Sequence, residues 1–130
     1  MLTTQIRNLA DIAVVRREAT ALAAHLGFRR SDQAKLAAAV SELARDLLQD
    51  GDQASLSLRV IEGGTNDGRG IEVQAQGQGP QTTTIGRLAS DDSGEGLPTG
   101  LRRASDLADQ FIAVSQPDTG MRVTVRKWPR

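Results

Sequence analysis

A chain of 130 residues suffices for one domain with a real core, and its three aromatic residues leave that core to Leu, Val, Ile and Ala. Sixteen basic residues cancel sixteen acidic ones, which removes the concentrated positive field that nucleic acid or an anionic membrane surface requires. The absence of cysteine excludes disulfides and thiolate chemistry, and a single histidine, His25, argues against a zinc centre or a histidine-based triad.

Taken in chain order, Leu2–Ile6 reads as a short edge strand. Ile12, Val15, Ala19, Leu22 and Leu26 then recur at helical spacing, predicting a helix over Asp11–Leu26 closed by Gly27 at C′. Ser31 or Asp32 offers an N-cap for a second helix over Asp32–Gln49, carrying Ala34, Ala38, Leu43 and Leu47 and stopping at Gly51. Ala54–Ile61 alternates apolar and polar residues as a half-buried strand does, and Gly70–Ala75 is its return strand across a turn at Gly63–Gly68. Gly77–Thr99 is polar and without periodicity, a long loop of a kind that is often functional. A third helix over Leu101–Asp109 and a hairpin of Phe111–Ser115 with Met121–Arg126 complete the chain. There is no internal repeat and no linker, so residues 1–130 are expected to form a single domain. No apolar run reaches bilayer length and the N-terminus lacks a signal-peptide pattern, so a soluble cytoplasmic protein with no membrane partner is expected.

Chemistry has few places to sit. Glu42 and Asp46 lie at i and i+4 on the second helix with Arg45 beside them, so both carboxylates share one side. One can act as a general base and the other hold a divalent cation, but a solvated helix face is the commoner outcome of such spacing. Gly77-Gln-Gly79 and Gly94-Glu-Gly96 can let backbone amides approach phosphate, or can simply be flexible. Gly96-Leu-Pro-Thr99-Gly100 is more specific, because it leads into a helix whose N-terminus is a natural anion site. Arg102 and Arg103 read mainly as surface charges, His25 as structural or exposed, and Trp128 as a contact closing the last strand.

The order of these pieces resembles the GHKL (Bergerat) ATP-binding domain, and most of all the compact RsbT-like serine/threonine kinases that act as anti-sigma factors or stressosome switch kinases. The residues that carry the likeness are Glu42-Leu-Ala-Arg-Asp46, Gly77-Gln-Gly79-Pro80, and Gly96-Leu-Pro-Thr-Gly100-Leu101, together with Asp109-Gln-Phe111 and Lys127-Trp128. The resemblance implies an α/β two-layer sandwich whose mixed, mostly antiparallel sheet has helices on one face. It also implies ATP and magnesium as cofactors, with Glu42 catalytic and Asp46 on the metal. Nucleotide contacts would come from Arg45, Asp46, Gly77, Gly79, Gly96, Thr99 and Gly100. The implied partners are a STAS-domain antagonist, a sigma factor or a downstream phosphatase, with a homodimer as a further expectation.

Four nucleotide contacts depart from the family pattern. Asp46 stands where the family has a magnesium-binding Asn, and Gly77 where it has the Asp that reads the adenine amino group. Gln81 replaces a glycine, and Pro98 removes a backbone donor from the second glycine box. The lid adds Asp91, Asp92 and Glu95 where phosphate would pass. Each lost buried partner costs about 1–3 kcal/mol, or roughly one to two decades of affinity. A register shifted around Gly77 would bring Glu72 or Asp91 to the adenine, although Gly79-Pro80 anchors the register as written. The expected protein is a partner-switching regulator with a degenerate nucleotide site; an active kinase is the alternative.

Overall fold

The computed structural model describes residues 2–50, 53–63, 68–78, 99–116 and 120–129. The elements run β1 (Leu2–Ile6), α1 (Leu9–His25), α2 (Arg30–Asp50), β2 (Gln53–Ile61), β3 (Gly70–Gln78), α3 (Thr99–Leu107), β4 (Gln110–Gln116) and β5 (Gly120–Lys127). Among the described residues, five strands form one sheet in the order β1-β2-β3-β5-β4, and all four pairings are antiparallel. The mixed sheet expected from the resemblance is therefore corrected to an antiparallel one: β2–β3 and β4–β5 are hairpins, the β1–β2 and β3–β5 pairs join strands that are not hairpin partners, and no two described neighbours run the same way.

Period-2 alternation divides the sheet cleanly. One face presents Ile6, Leu56, Leu58, Val73, Ala75, Val123 and Val125, all buried. The helices cover this face, joining Ile12, Val15, Leu36, Val40, Leu43 and Ala104 to a single core. α2 is central, packing against α1, α3, β2 and β3 at once. Small side chains make this close approach possible: Ala19 and Ala23 of α1, and Ala37, Ala39 and Ala44 of α2, are all buried.

The helix ends explain most of the boundary differences. α1 starts two residues earlier than its apolar periodicity suggests, because the Asn8 side chain accepts from the Asp11 amide at 3.1 Å and the Asp11 carboxylate accepts from the Arg7 amide at 2.9 Å. Its C-terminus closes as read. Gly27 adopts φ +85°, donating to Ala24, while Phe28 donates to Ala23 and buries its ring. α2 begins at Arg30, so neither Ser31 nor Asp32 caps it; the Gln33 amide instead donates to the Arg29 carbonyl at 2.9 Å. Asp32 is buried within the first turn and faces Lys127 across 3.7 Å. α3 and the β4–β5 hairpin fall within two residues or so of their predicted positions. The stop expected at Gly51, the centre of the Gly63–Gly68 turn and the tip of the last hairpin lie outside the described residues.

Candidate functional site

Glu42, Arg45 and Asp46 occupy the fourth and fifth turns of α2. Amphipathicity decides their posture. Leu36, Val40 and Leu43 define the buried stripe, which leaves Glu42 at its margin and Arg45 fully outside it. Asp46, one turn beyond Glu42, is 9% exposed and so lies inside the margin. An acidic side chain so deeply placed in a helix flank is costly unless engaged, and Asp46 is engaged within the protein.

Glu42 is the meeting point of two helices. Its Oε1 lies 3.5 Å from Nη1 of Arg103 on α3 and 3.9 Å from Nη1 of Arg45. Arg103 is thus not the plain surface charge that the sequence suggested, since α3 packs beside α2 and brings its guanidinium over the carboxylate. Both guanidiniums are largely exposed, so each pair is worth under about 1 kcal/mol, and Arg103 can be drawn to another anion at little cost.

Gly77 lies near the end of β3, in register with Ala54 of β2 and Met121 of β5. It is buried on the helix-facing side, in the same alternation as Val73 and Ala75. Glu72 lies on the opposite face. There its carboxylate is 2% exposed and accepts from Arg59 at 2.7 Å, Arg126 at 2.8 Å and Gln74 at 3.3 Å. This agrees with setting aside the shifted register that would make Glu72 the adenine reader: odd and even residues of a strand point to opposite faces, and Glu72 lies away from the α2 side of the sheet.

Thr99 and Gly100 open α3, as the second glycine box implies. Gly79, Pro80, Gln81, Asp91, Asp92, Glu95, Gly96 and Pro98 lie outside the described residues. The described part therefore brings together Glu42, Arg45, Asp46 and Arg103 at the α2–α3 seam, with Gly77 on the same face of the sheet. Among the described residues, no group of three His, Cys, Asp or Glu is placed to hold a metal ion, and no helix is long and apolar enough to cross a membrane.

A second feature lies on the outer face of α1. Ala13, Arg16, Arg17, Thr20, Ala21 and Ala24 line a shallow depression of about 450 Å³ with small side chains between two arginines. Both acidic residues of α1 point elsewhere: Asp11 turns back to the Arg7 amide and Glu18 accepts from the Thr4 hydroxyl at 3.1 Å. Sequence periodicity could have found the outer stripe, but which of its residues lie open required the packing of α1 on the sheet.

No family model matches the chain. It is 29% identical over 122 residues to the serine/threonine-protein kinase RsbT of Bacillus subtilis (strain 168), a match that spans 92% of this chain and 90% of that protein. Its fold matches a chain in the crystal structure of the SiaB-SiaC complex from Pseudomonas aeruginosa with a TM-score of 0.63 at 13% identity, covering 98% of this chain and 89% of that one. The chain is thus similar to the RsbT-like serine/threonine kinases over nearly its whole length, as its motifs imply.

Proposed function

We propose that this protein is a cytoplasmic regulator in a partner-switching pathway, a GHKL-type domain that docks a STAS-domain antagonist, a sigma factor or a downstream phosphatase while its nucleotide site is degenerate. The regulatory class rests on the likeness to RsbT, and a protein partner agrees with a structural neighbour that is itself part of a complex. The observation that carries the degenerate site is Gly77. It faces the helix layer at the end of β3, where the family's carboxylate would meet adenine, and it has no side chain to offer. The Asp46 position also fits ATP and magnesium poorly, since it brings a carboxylate where the family has a neutral amide.

Titration calorimetry with ATP and magnesium tests this reading. The expected result is no saturable heat in the micromolar range for the wild-type protein, with Glu42→Ala and Asp46→Ala indistinguishable from it. Micromolar binding that weakens in Asp46→Ala would instead favour the active kinase. The observation in favour of that alternative is that Glu42 and Asp46 do stand one turn apart on the flank of α2 beside α3.

Partner recognition falls to α1. The small residues of its outer face admit close approach, Leu9 adds an exposed aliphatic at 69%, and Arg16 and Arg17 select an acidic counterpart. Charge reversal in Arg16→Glu/Arg17→Glu is expected to weaken binding to the cognate STAS-domain protein by about tenfold or more, because like charges then meet across the contact. The melting temperature should stay unchanged, since neither side chain is buried. Equal affinity in the variant would move the docking surface away from α1. Self-association, the homodimer that the resemblance also implies, has a different surface in the sheet edge.

A further inference from the structure

We propose that β4 is the seam of a two-fold dimer, in which the edge strands of two copies pair antiparallel and extend the sheet across both molecules. This deepens the homodimer reading above and does not depend on nucleotide binding. Among the described residues, β4 ends the sheet and pairs only with β5. Its seven residues, Gln-Phe-Ile-Ala-Val-Ser-Gln, include no charge and no proline, the usual devices that keep an edge from pairing. Phe111 and Ala113 face the core, whereas Ile112 and Val114 stand on the open face, 46% and 47% exposed. The other edge, β1, is different: its open-face positions are Thr3 and Gln5, and the Thr3 hydroxyl is hydrogen-bonded to Ser57 at 3.1 Å.

The register of β4 is self-complementary. A two-fold axis through Ala113 sets Ile112 of one copy opposite Val114 of the other, and Val114 opposite Ile112. Four aliphatic side chains then close over the seam on the open face, as cross-strand pairs of β-branched residues do. Charge selects this arrangement over face-to-face stacking. Among the described residues, the open face carries Arg59, Arg122 and Arg126 against the single carboxylate of Glu72, so two such faces repel. In the edge-on arrangement Arg122 and Arg126 lie on β5, one strand behind each seam strand. The two β5 strands are then about 14 Å apart, beyond the screening length of about 8 Å at physiological salt. A seven-residue seam buries less than the roughly 1,200–2,000 Å² of a standard stable interface, so the dimer is reversible and depends on concentration.

Sedimentation velocity over a concentration series tests the seam on wild type, Ile112→Lys/Val114→Lys, and a Thr3→Lys control on the opposite edge, with melting curves to show that each is folded. The expected result is a wild-type mass rising from 13.9 kDa toward twice that value. Thr3→Lys should follow the wild type, and the β4 variant should stay monomeric throughout. A β4 variant that still dimerises overturns the seam and moves self-association to another surface. A wild type that stays monomeric at every concentration overturns both the seam and the homodimer.

Discussion

Lys127→Met is expected to lower the unfolding free energy by about 3–5 kcal/mol, a large part of the roughly 5–15 kcal/mol typical of a domain this size. Lys127 at the end of β5 and Asp32 in the first turn of α2 face each other at 3.7 Å, with side chains only 3% and 4% exposed. Water is excluded from both, so removing the ammonium leaves the Asp32 carboxylate buried without its counter-charge. The attraction of the intact pair largely offsets the cost of burying it and adds little net stability. Lys127→Met/Asp32→Leu, which removes both charges and fills the space, is therefore expected to recover most of the loss. Urea unfolding followed by the fluorescence of the single tryptophan, Trp128, checks both variants. A cost below about 1 kcal/mol for Lys127→Met would mean that the pair behaves as a solvent-screened one. The pair also seats the N-terminal end of α2 on the sheet, so the single variant should loosen the helix that carries Glu42 and Asp46.

The second large effect lies beside it. Gly70→Val should cost about 3 kcal/mol and lower the melting temperature by roughly 10 °C. A Cβ at Gly70 would sit 2.6 Å from Cδ1 and 2.7 Å from Nε1 of Trp128, and 2.8 Å from the backbone oxygen of Lys127. An indole can swing aside, but the Lys127 carbonyl belongs to the end of β5, which pairs with Ile71 of β3. Trp128 is itself anchored, because its amide donates to the Asp109 carboxylate at 2.9 Å. Relief of the clash must therefore tear the start of the β3–β5 ladder. Gly68→Ala is the internal control. Its Cβ would meet only Pro129 at 3.5 Å, an ordinary contact, and it should melt close to wild type. If Gly70→Val melts with that control, the C-terminal segment is not packed as tightly as these distances require.

The elements themselves were largely legible because their signals are local. Apolar residues at helical spacing marked α1 and α2, and alternation marked β2 and β3. Gly27 could be read as a C′ residue because a helix end needs a left-handed φ there, which glycine supplies without strain. The site was legible only in part. Glu42 and Asp46 announce themselves by spacing, but Arg103 is 61 positions from Glu42, and one of two adjacent arginines in a short helix carries no mark of its partner. The surroundings of Glu72 were hidden for a related reason. A single acidic residue in a strand reads as a solvated or ligand-facing group, and nothing nearby in sequence shows that Arg126 will fold across to bury it.

What the amino-acid order alone determined was therefore the set of elements, the apolar face of each, and a likeness to the RsbT-like kinases that the comparison bears out. These follow from backbone conformation and hydrophobic periodicity, which act over a few residues. Only the tertiary structure decided that the sheet is antiparallel in all its described pairings, that Glu72 lies on the face away from α2, and that Asp32 meets Lys127 rather than capping its own helix. Each of these depends on charges or strands brought together from distant parts of the chain. Their partners are chosen by the packing of α2 against the sheet, and no local pattern encodes that choice.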